Sequence, residues 1–356
     1  MKKYEMIVKD IRRQIEKGAL KPGDKLPTEQ EYQKIYGVSR ITVQTALRML
    51  REEGLLRRVA GSGTYLTETG EAARAEKNFI SFVCYNSVDE LMRVAEGINS
   101  AAEPLGLYTS MRITNGNPDF ELEAVESAFG NGAKGVIVFP SEQDKNVGFF
   151  RDLVMKKYPI VFIDRCALRL PCNFVCSNNY IGARLATEHL IRYGHEHILY
   201  VNSGDVRPLK ERIAGFTDAM ADAGLEGSAR ILDCDKPAAS RSADFGEITD
   251  GLTKAFSVGP RPTALVCGND LIALHCMRVL RSLHYRVPDD VSVTGYDNTT
   301  LAANKNNSLT TVDQDFFLLG KTAAQALFSF IADKRQTAHI RIDPQLVVRH
   351  STKRLF

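Results

Sequence analysis

Apolar positions in KYEMIVKDIRRQIEK fall at Ile7, Ile11 and Ile15, one every four residues, and predict an amphipathic helix over about Tyr4 to Lys17. GALKPGDKLP ends that pattern. Thr28 and Glu31 stand at capping-box spacing and predict a second helix over Thr28 to Ile35. Gly37 then supplies a turn, and Ser39 caps a third helix in which Val43, Leu47 and Leu50 share one face. Two short strands are expected around Leu55 to Val59 and Thr64 to Leu66, joined by AGSG. Three helices and a β-hairpin make a winged helix-turn-helix.

Thr67 to Lys77, TETGEAARAEK, has little apolar content and reads as a linker. From Phe79 the period changes. Short runs rich in Val, Ile and Phe (FISFVCY, KGVIVFP, PIVFID, HILYV, TALVCG, VSVTGYD) alternate with helical segments such as Leu91 to Glu103, Ile181 to Arg192, Arg212 to Ala223 and Leu271 to Leu283. Apolar strands alternating with helices imply parallel sheets covered on both faces. The remaining length is large for one such sheet, so two α/β lobes are expected, with ligand chemistry between them at the carboxyl ends of the strands. The expected fold is therefore a multidomain α/β chain. A DNA-binding head covers residues 1–66, a linker 67–77, and a two-lobed body 78–356. Lobe one takes about 78–176 and 314–341, and lobe two takes 177–313 and 342–356.

Composition narrows the class. At 44% hydrophobic and 25% charged the chain is globular. No apolar run approaches the roughly 18 residues of a membrane span. The charged N-terminus is not a secretory signal, so a cytoplasmic protein without membrane partners is expected. Seven scattered cysteines suit reduced thiols; Cys172 and Cys176 are the pair closest in sequence, and no second pair completes a zinc site. Charge is uneven. Through Leu66 there are fourteen Lys and Arg against eight Asp and Glu, a net of +6, whereas the rest has 32 against 35. A basic head on a slightly acidic body points to nucleic acid once a suitable fold presents the charge.

A recognition helix offers short polar or basic side chains near its N-terminus while its apolar face closes the domain core. Arg40 can pair with guanine O6 and N7 and Gln44 with adenine N6 and N7, while Thr42 and Thr45 lie toward the same side or the tip. Ser39 and Thr28 suit phosphates. In the wing, Gly61 and Gly63 leave room for backbone near a groove wall, with Ser62 and Thr64 as donors. The alternative for each residue is a structural one: Ser39 a cap, Arg40 a surface ion pair. In the body, polar residues gather at strand ends: Asp164 and Arg165 in VFIDR, Asn269 in CGND, Asp297 in VTGYD. Arg212 opens a helix in ERIAGF, and Gln314 and Phe316 lie in TTVDQDFF. Donors and acceptors mixed with apolar faces suit a polyhydroxylated ligand.

The stretch KPGDKLPTEQEYQKIYGVSRITVQTALRMLREEGLLRRVAGSGTYL resembles the GntR family of bacterial transcription regulators. IGARLATEHLIRYGHEHILYV, RPTALVCGNDLIAL, RVPDDVSVTGYDN and LTTVDQDFFLLGKTAA resemble the effector domain of LacI/GalR regulators and periplasmic sugar-binding proteins of type I. The first resemblance places Glu29 near DNA as well. The second implies that Asp164, Arg212, Asn269, Asp297 and Gln314 contact a sugar, with Arg165 matched in the ribose-binding type. CYNSVDEL departs from the family, with Glu90 and Leu91 where an aromatic pair commonly meets the ring; Tyr85 can replace that surface. The resemblance implies a homodimeric repressor that binds an inverted-repeat operator in double-stranded DNA and responds to a small sugar-like effector. A non-sugar metabolite, or a dimeric DNA-binding protein without a ligand switch, is the alternative. No cofactor or catalysis is expected, because GxxxxGK[ST], GxSxG and HExxH are all missing.

Overall fold

The structure is a computed structural model and describes residues 3–52, 54–59, 62–67, 78–86, 89–141, 144–166, 171–234 and 245–355. The chain divides into two compact units, residues 1–78 and 79–356. The expected linker lies almost wholly outside the described residues.

In the first unit α1 (Lys3–Glu16), α2 (Glu29–Tyr36) and α3 (Arg40–Glu52) precede β1 (Leu56–Val59) and β2 (Gly63–Leu66). Ile7, Val8 and Ile11 of α1 pack with Val43, Ala46, Leu47 and Leu50 of α3 in one buried cluster, which Leu26, Tyr32, Leu56 and Leu66 complete. That cluster is why α3 turns its other side outward. Gly37 ends α2 at φ 61°, a left-handed conformation that glycine adopts without strain. The hairpin is antiparallel, from Leu56 opposite Leu66 to Val59 opposite Gly63.

The second unit alternates strand and helix. Its first half runs β3 (Phe79–Cys84), α4 (Asp89–Ala102), β4 (Tyr108–Ile113), α5 (Pro118–Gly130), β5 (Val136–Phe139), α6 (Val147–Met155), β6 (Ile160–Ile163) and β7 (Asn173–Ser177). Next come α7 (Asn179–Arg192), β8 (Ile198–Ser203), α8 (Arg207–Asp222), β9 (Ala229–Cys234), α9 (Gly246–Ser257), β10 (Ala264–Cys267), α10 (Asp270–Ser282), β11 (Ser292–Tyr296), α11 (Thr300–Ala303) and β12 (Thr310–Asp313). Finally α12 (Phe316–Ala332), β13 (His339–Ile342) and β14 (Gln345–Val347) follow.

Two six-stranded sheets result, ordered β13-β7-β6-β5-β3-β4 and β14-β12-β11-β10-β8-β9. Every pairing is parallel except β12 with β14. The inner strands, such as β3, β5, β6 and β10, are buried on both faces, as their unbroken apolar runs require, while the edge strands β4, β9, β13 and β14 are partly exposed. Strand order reverses between β3 and β5 in one sheet and between β8 and β10 in the other, and crevices open at such points. The chain passes between sheets after β7, after β12 and after β13. Where α4 crosses α12, a Cβ on Gly97 would strike the Phe317 carbonyl and one on Gly320 the Val94 carbonyl, so only glycine permits this approach. One sequence expectation is corrected. Arg212 does not open its helix, because α8 starts at Arg207 with Pro208 in its first turn.

Candidate functional site

In the first unit, the residues expected to read DNA are held by one another. Thr28 is committed as a cap: its hydroxyl accepts from the Glu31 amide at 3.3 Å, while the Glu31 carboxylate accepts from the Thr28 amide at 2.7 Å. Glu29 starts α2 and accepts from Arg40 Nε at 3.1 Å and from Gln44 Nε2 at 2.9 Å. Partial burial raises the Glu29 pKa, but the bonds from Gln44 and Arg40 and the charges of Arg40 and Arg58 outweigh it and hold the carboxyl below its usual range. Ser39 and Thr42 share a hydroxyl hydrogen bond of 2.9 Å, and Thr45 donates back to the Ile41 carbonyl. Ser62 bonds to the Tyr65 hydroxyl, Gly63 lies at φ 132° beside Lys25, and Thr64 accepts from the Leu26 amide through its carbonyl. Gly61 lies outside the described residues. Sequence reading passed over Arg57 and Arg58 of the wing, although the adjacent basic pair in LLRRV was visible; Arg57 packs over the Tyr65 ring at 5.4 Å.

In the second unit one cavity of about 140 Å³ lies between the two sheets, well under the roughly 300 to 1,000 Å³ of a drug-sized pocket. Tyr85, Asp164, Arg165, Arg212, Asn269, Asp297, Gln314 and Phe316, all expected from sequence, line this single space. Tyr85 and Phe139 follow and end the strands flanking one order reversal; Ser203 and Asn269 do the same at the other. Phe139, Ser203, Thr299 and the apolar Leu209 and Leu271 were missed. A strict search for the last residue of each strand would have found Phe139 and Ser203.

Each polar side chain is anchored. Arg212 donates from Nε to Asn179 Oδ1 at 2.8 Å and from Nη1 to the Gly268 carbonyl at 2.6 Å. Its guanidinium lies 3.6 Å from the centre of the Tyr296 ring and 3.9 Å from Asp297 Oδ1. The acidic residues near it in sequence pair elsewhere: Glu211 with Arg207 and Asp205 with Lys210. Burial pushes the Asp297 carboxyl well up, with Arg212 opposing, and Gln314 Nε2 donates to it at 2.6 Å. Gln314 is 3% exposed, and its Oε1 accepts no hydrogen bond. Asn269 caps α10 by accepting from the Ile272 amide at 2.9 Å, which occupies its oxygen and leaves its amide donors for a ligand. Arg165 spreads over the rings of Tyr85 and Phe139, with Nε 3.4 Å from Asp164. Asp164 sits at φ 64°, and the Arg165 amide donates to the Ile163 carbonyl at 2.7 Å, a tight three-residue turn in its strained form. Acceptors, amide donors and apolar faces thus converge on a small space.

Among the described residues no group of three or more His, Cys, Asp or Glu is placed to hold a metal ion, and no helix is long and apolar enough to cross a membrane.

A winged head and a two-lobed binding body in one chain define the class of a DNA-binding regulator with a ligand-binding domain. Residues 3–66 match the bacterial regulatory proteins of the gntR family, and residues 187–352 match the periplasmic binding protein-like domain. The arabinose metabolism transcriptional repressor of Halalkalibacterium halodurans is 29% identical over 98% of this chain and 96% of its own. The HTH-type transcriptional repressor PurR of Mannheimia succiniciproducens is 32% identical over 68% of this chain and 71% of its own. A LacI-family transcriptional regulatory protein from Corynebacterium glutamicum superposes with a TM-score of 0.63 at 25% identity, covering 78% of this chain and 99% of that one. The chain belongs to the bacterial transcription regulators that carry a GntR-type DNA-binding head on a LacI-like, periplasmic-binding-protein-like body.

Proposed function

We propose that the protein is a cytoplasmic homodimeric repressor of carbohydrate-utilisation genes, released from an inverted-repeat operator when a small neutral sugar enters the cleft of the body. The observation that carries this reading is the convergence of Asp164, Asn269, Asp297 and Gln314 with Tyr85, Phe139 and Phe316 on one small cavity where both sheets reverse strand order. The buried Gln314 Oε1, lacking a donor, matches a sugar hydroxyl. A phosphate fits poorly: Glu90 and Asp164 line the space, Arg165 is paired with Asp164, and Arg212 is engaged by Asn179 and the Gly268 carbonyl. The arabinose repressors among the relatives make pentoses the first candidates. Ligand between the lobes favours their closed arrangement, which biases operator affinity by its differential binding.

Thermal unfolding against pentoses, hexoses and their phosphates tests this. A neutral sugar at 100 times its Kd adds about 2.7 kcal/mol to stability, and it lowers operator affinity in the same preparation. If only phosphorylated or non-sugar metabolites act, the ligand assignment is wrong; if nothing acts, the body is a dimerisation module without a switch.

A further inference from the structure

The geometry points to Cys166 and Cys172 as a dithiol that a hydroperoxide closes to a disulfide, tethering the turn that holds Asp164 and Arg165 in the cavity wall. The two sulfurs lie 3.3 Å apart, although the chain suggested Cys172 and Cys176 as neighbours. A bond of about 2.05 Å needs the sulfurs to approach by roughly a further 1.3 Å. Both thiols are only partly buried, packed on the side of the sheet formed by Phe150, Phe162 and Phe174.

The backbone explains how they meet. β6 and β7 are parallel neighbours, yet nine residues, 164–172, connect them, where a dozen or more is usual. The chain must double back at once, and it does so at the tight turn centred on Asp164. Cys166 leaves that turn and Cys172 enters β7, so a disulfide fixes the end of the turn to the start of a core strand.

The chemistry is complete within the pair and the oxidant. Cys172 keeps its proton, because the hydrogen bond with Cys166, burial and the charge on Cys166 all raise its pKa. Cys166 acts as the nucleophile: once its proton passes to solvent its sulfur attacks the peroxide oxygen, the O–O bond breaks, the released oxygen takes up a proton and leaves as alcohol or water, and a sulfenic acid forms. Cys172 sulfur displaces the sulfenic hydroxyl as water. Two thiols lose two electrons and two protons, and the hydroperoxide is reduced to alcohol and water. An internal contrast exists. Cys267 and Cys276 also share one core cluster, but both are fully buried and out of an oxidant's reach.

The test uses the full-length protein, reduced, treated with hydrogen peroxide, denatured and alkylated without reductant, then mapped by mass spectrometry. Cys166 and Cys172 are expected to lose alkylation together, with a mass lower by two hydrogens. Cys84, Cys176, Cys234, Cys267 and Cys276 stay alkylated. Hydrogen exchange at the Asp164 and Arg165 amides slows in the oxidised protein. In Cys172→Ser the same dose leaves a dimedone-reactive sulfenic acid on Cys166. Full alkylation of both after peroxide, oxidation to sulfinic acid without a crosslink, or a crosslink between Cys267 and Cys276 instead overturns the proposal.

Discussion

The surface around Glu29 in the head and the cleft around Arg212 in the body use the same device, an arginine and an amide side chain gathered on a carboxylate. They differ in burial. Arg40 is 71% exposed and its pair with Glu29 is wet, whereas Arg212 is 5% exposed and bonded to a side chain and a backbone carbonyl. A wet pair contributes at most about 1 kcal/mol, and its members can change partner when DNA arrives. A buried guanidinium cannot be withdrawn so cheaply, because every group that it satisfies is left without a partner. On the proposed function, Arg212 of the cleft therefore also holds the fold, whereas Arg40 of the head does not.

Replacing Arg212 tests the difference where it is greatest. Arg212→Ala strands Asn179 Oδ1, the Gly268 carbonyl and Asp297, and removes the cation from the Tyr296 face. The expected loss is about 3 to 5 kcal/mol of body stability, as for breaking a buried pair. Denaturant unfolding checks it. A loss of ligand response with unchanged stability makes Arg212 a dedicated contact and erases the contrast with Arg40.

Acid separates the two regions next. All seven histidines lie beyond Leu66, and His189 is 4% exposed, with Nε2 3.0 Å from the Thr352 hydroxyl. Burial, then the charges of Arg192 and His195, lower its pKa to about 4. The unfolded chain takes up this proton near pH 6.5 and the folded one near 4, so the site's contribution is present above 6.5 and is lost as pH falls to about 4. Asp270, raised to about 6 chiefly by burial, acts with the opposite sign, because the folded state protonates first on the way down. The prediction is therefore a difference. His189→Gln should gain about 2 to 3 kcal/mol on wild type between pH 7 and pH 4.5, read by thermal unfolding of the body. Head unfolding should not register the substitution, since His189 lies in the other compact unit. A difference that does not grow with acid shows that His189 protonates freely in the fold.

The same contrast explains what was legible in the chain. Head elements emerge within one or two residues because caps and the four-residue apolar repeat are local signals, as the Thr28–Glu31 box shows. Asp164, Arg165, Asn269, Asp297 and Gln314 were legible because polar residues seldom follow apolar strands without a role, whereas Tyr85 and Arg212 rested more on the family resemblance. Arg212 was misplaced at a helix start although Pro208 marks a first turn and Leu209, Ile213, Phe216 and Met220 already carry the helical period. Phe139 and Ser203 were missed because an apolar or small strand end carries no chemical mark. The thiol pair was beyond spacing altogether. Four residues along an extended strand separate Cys172 from Cys176 by roughly 13 Å, and only the reversal at Asp164 returns Cys166 to Cys172.

Arg40→Ala is the smallest test and the sharpest for the head. Its stability should change by less than about 0.5 kcal/mol, since a single exposed bond to Glu29 is removed. Binding to the operator should weaken by about 1 to 3 kcal/mol relative to random DNA at matched salt, the value of a base-edge pair. Fluorescence anisotropy on both duplexes separates the possibilities. Equal weakening on both, with the salt slope smaller by about one, identifies a phosphate contact. A drop in head stability comparable to that of Arg212→Ala in the body means that the Glu29 cluster is structural after all, and that exposure does not distinguish the two regions. Because Glu29 also accepts from Gln44, Arg40→Ala leaves Gln44 in place; a specificity loss confined to one operator position therefore belongs to Arg40 itself.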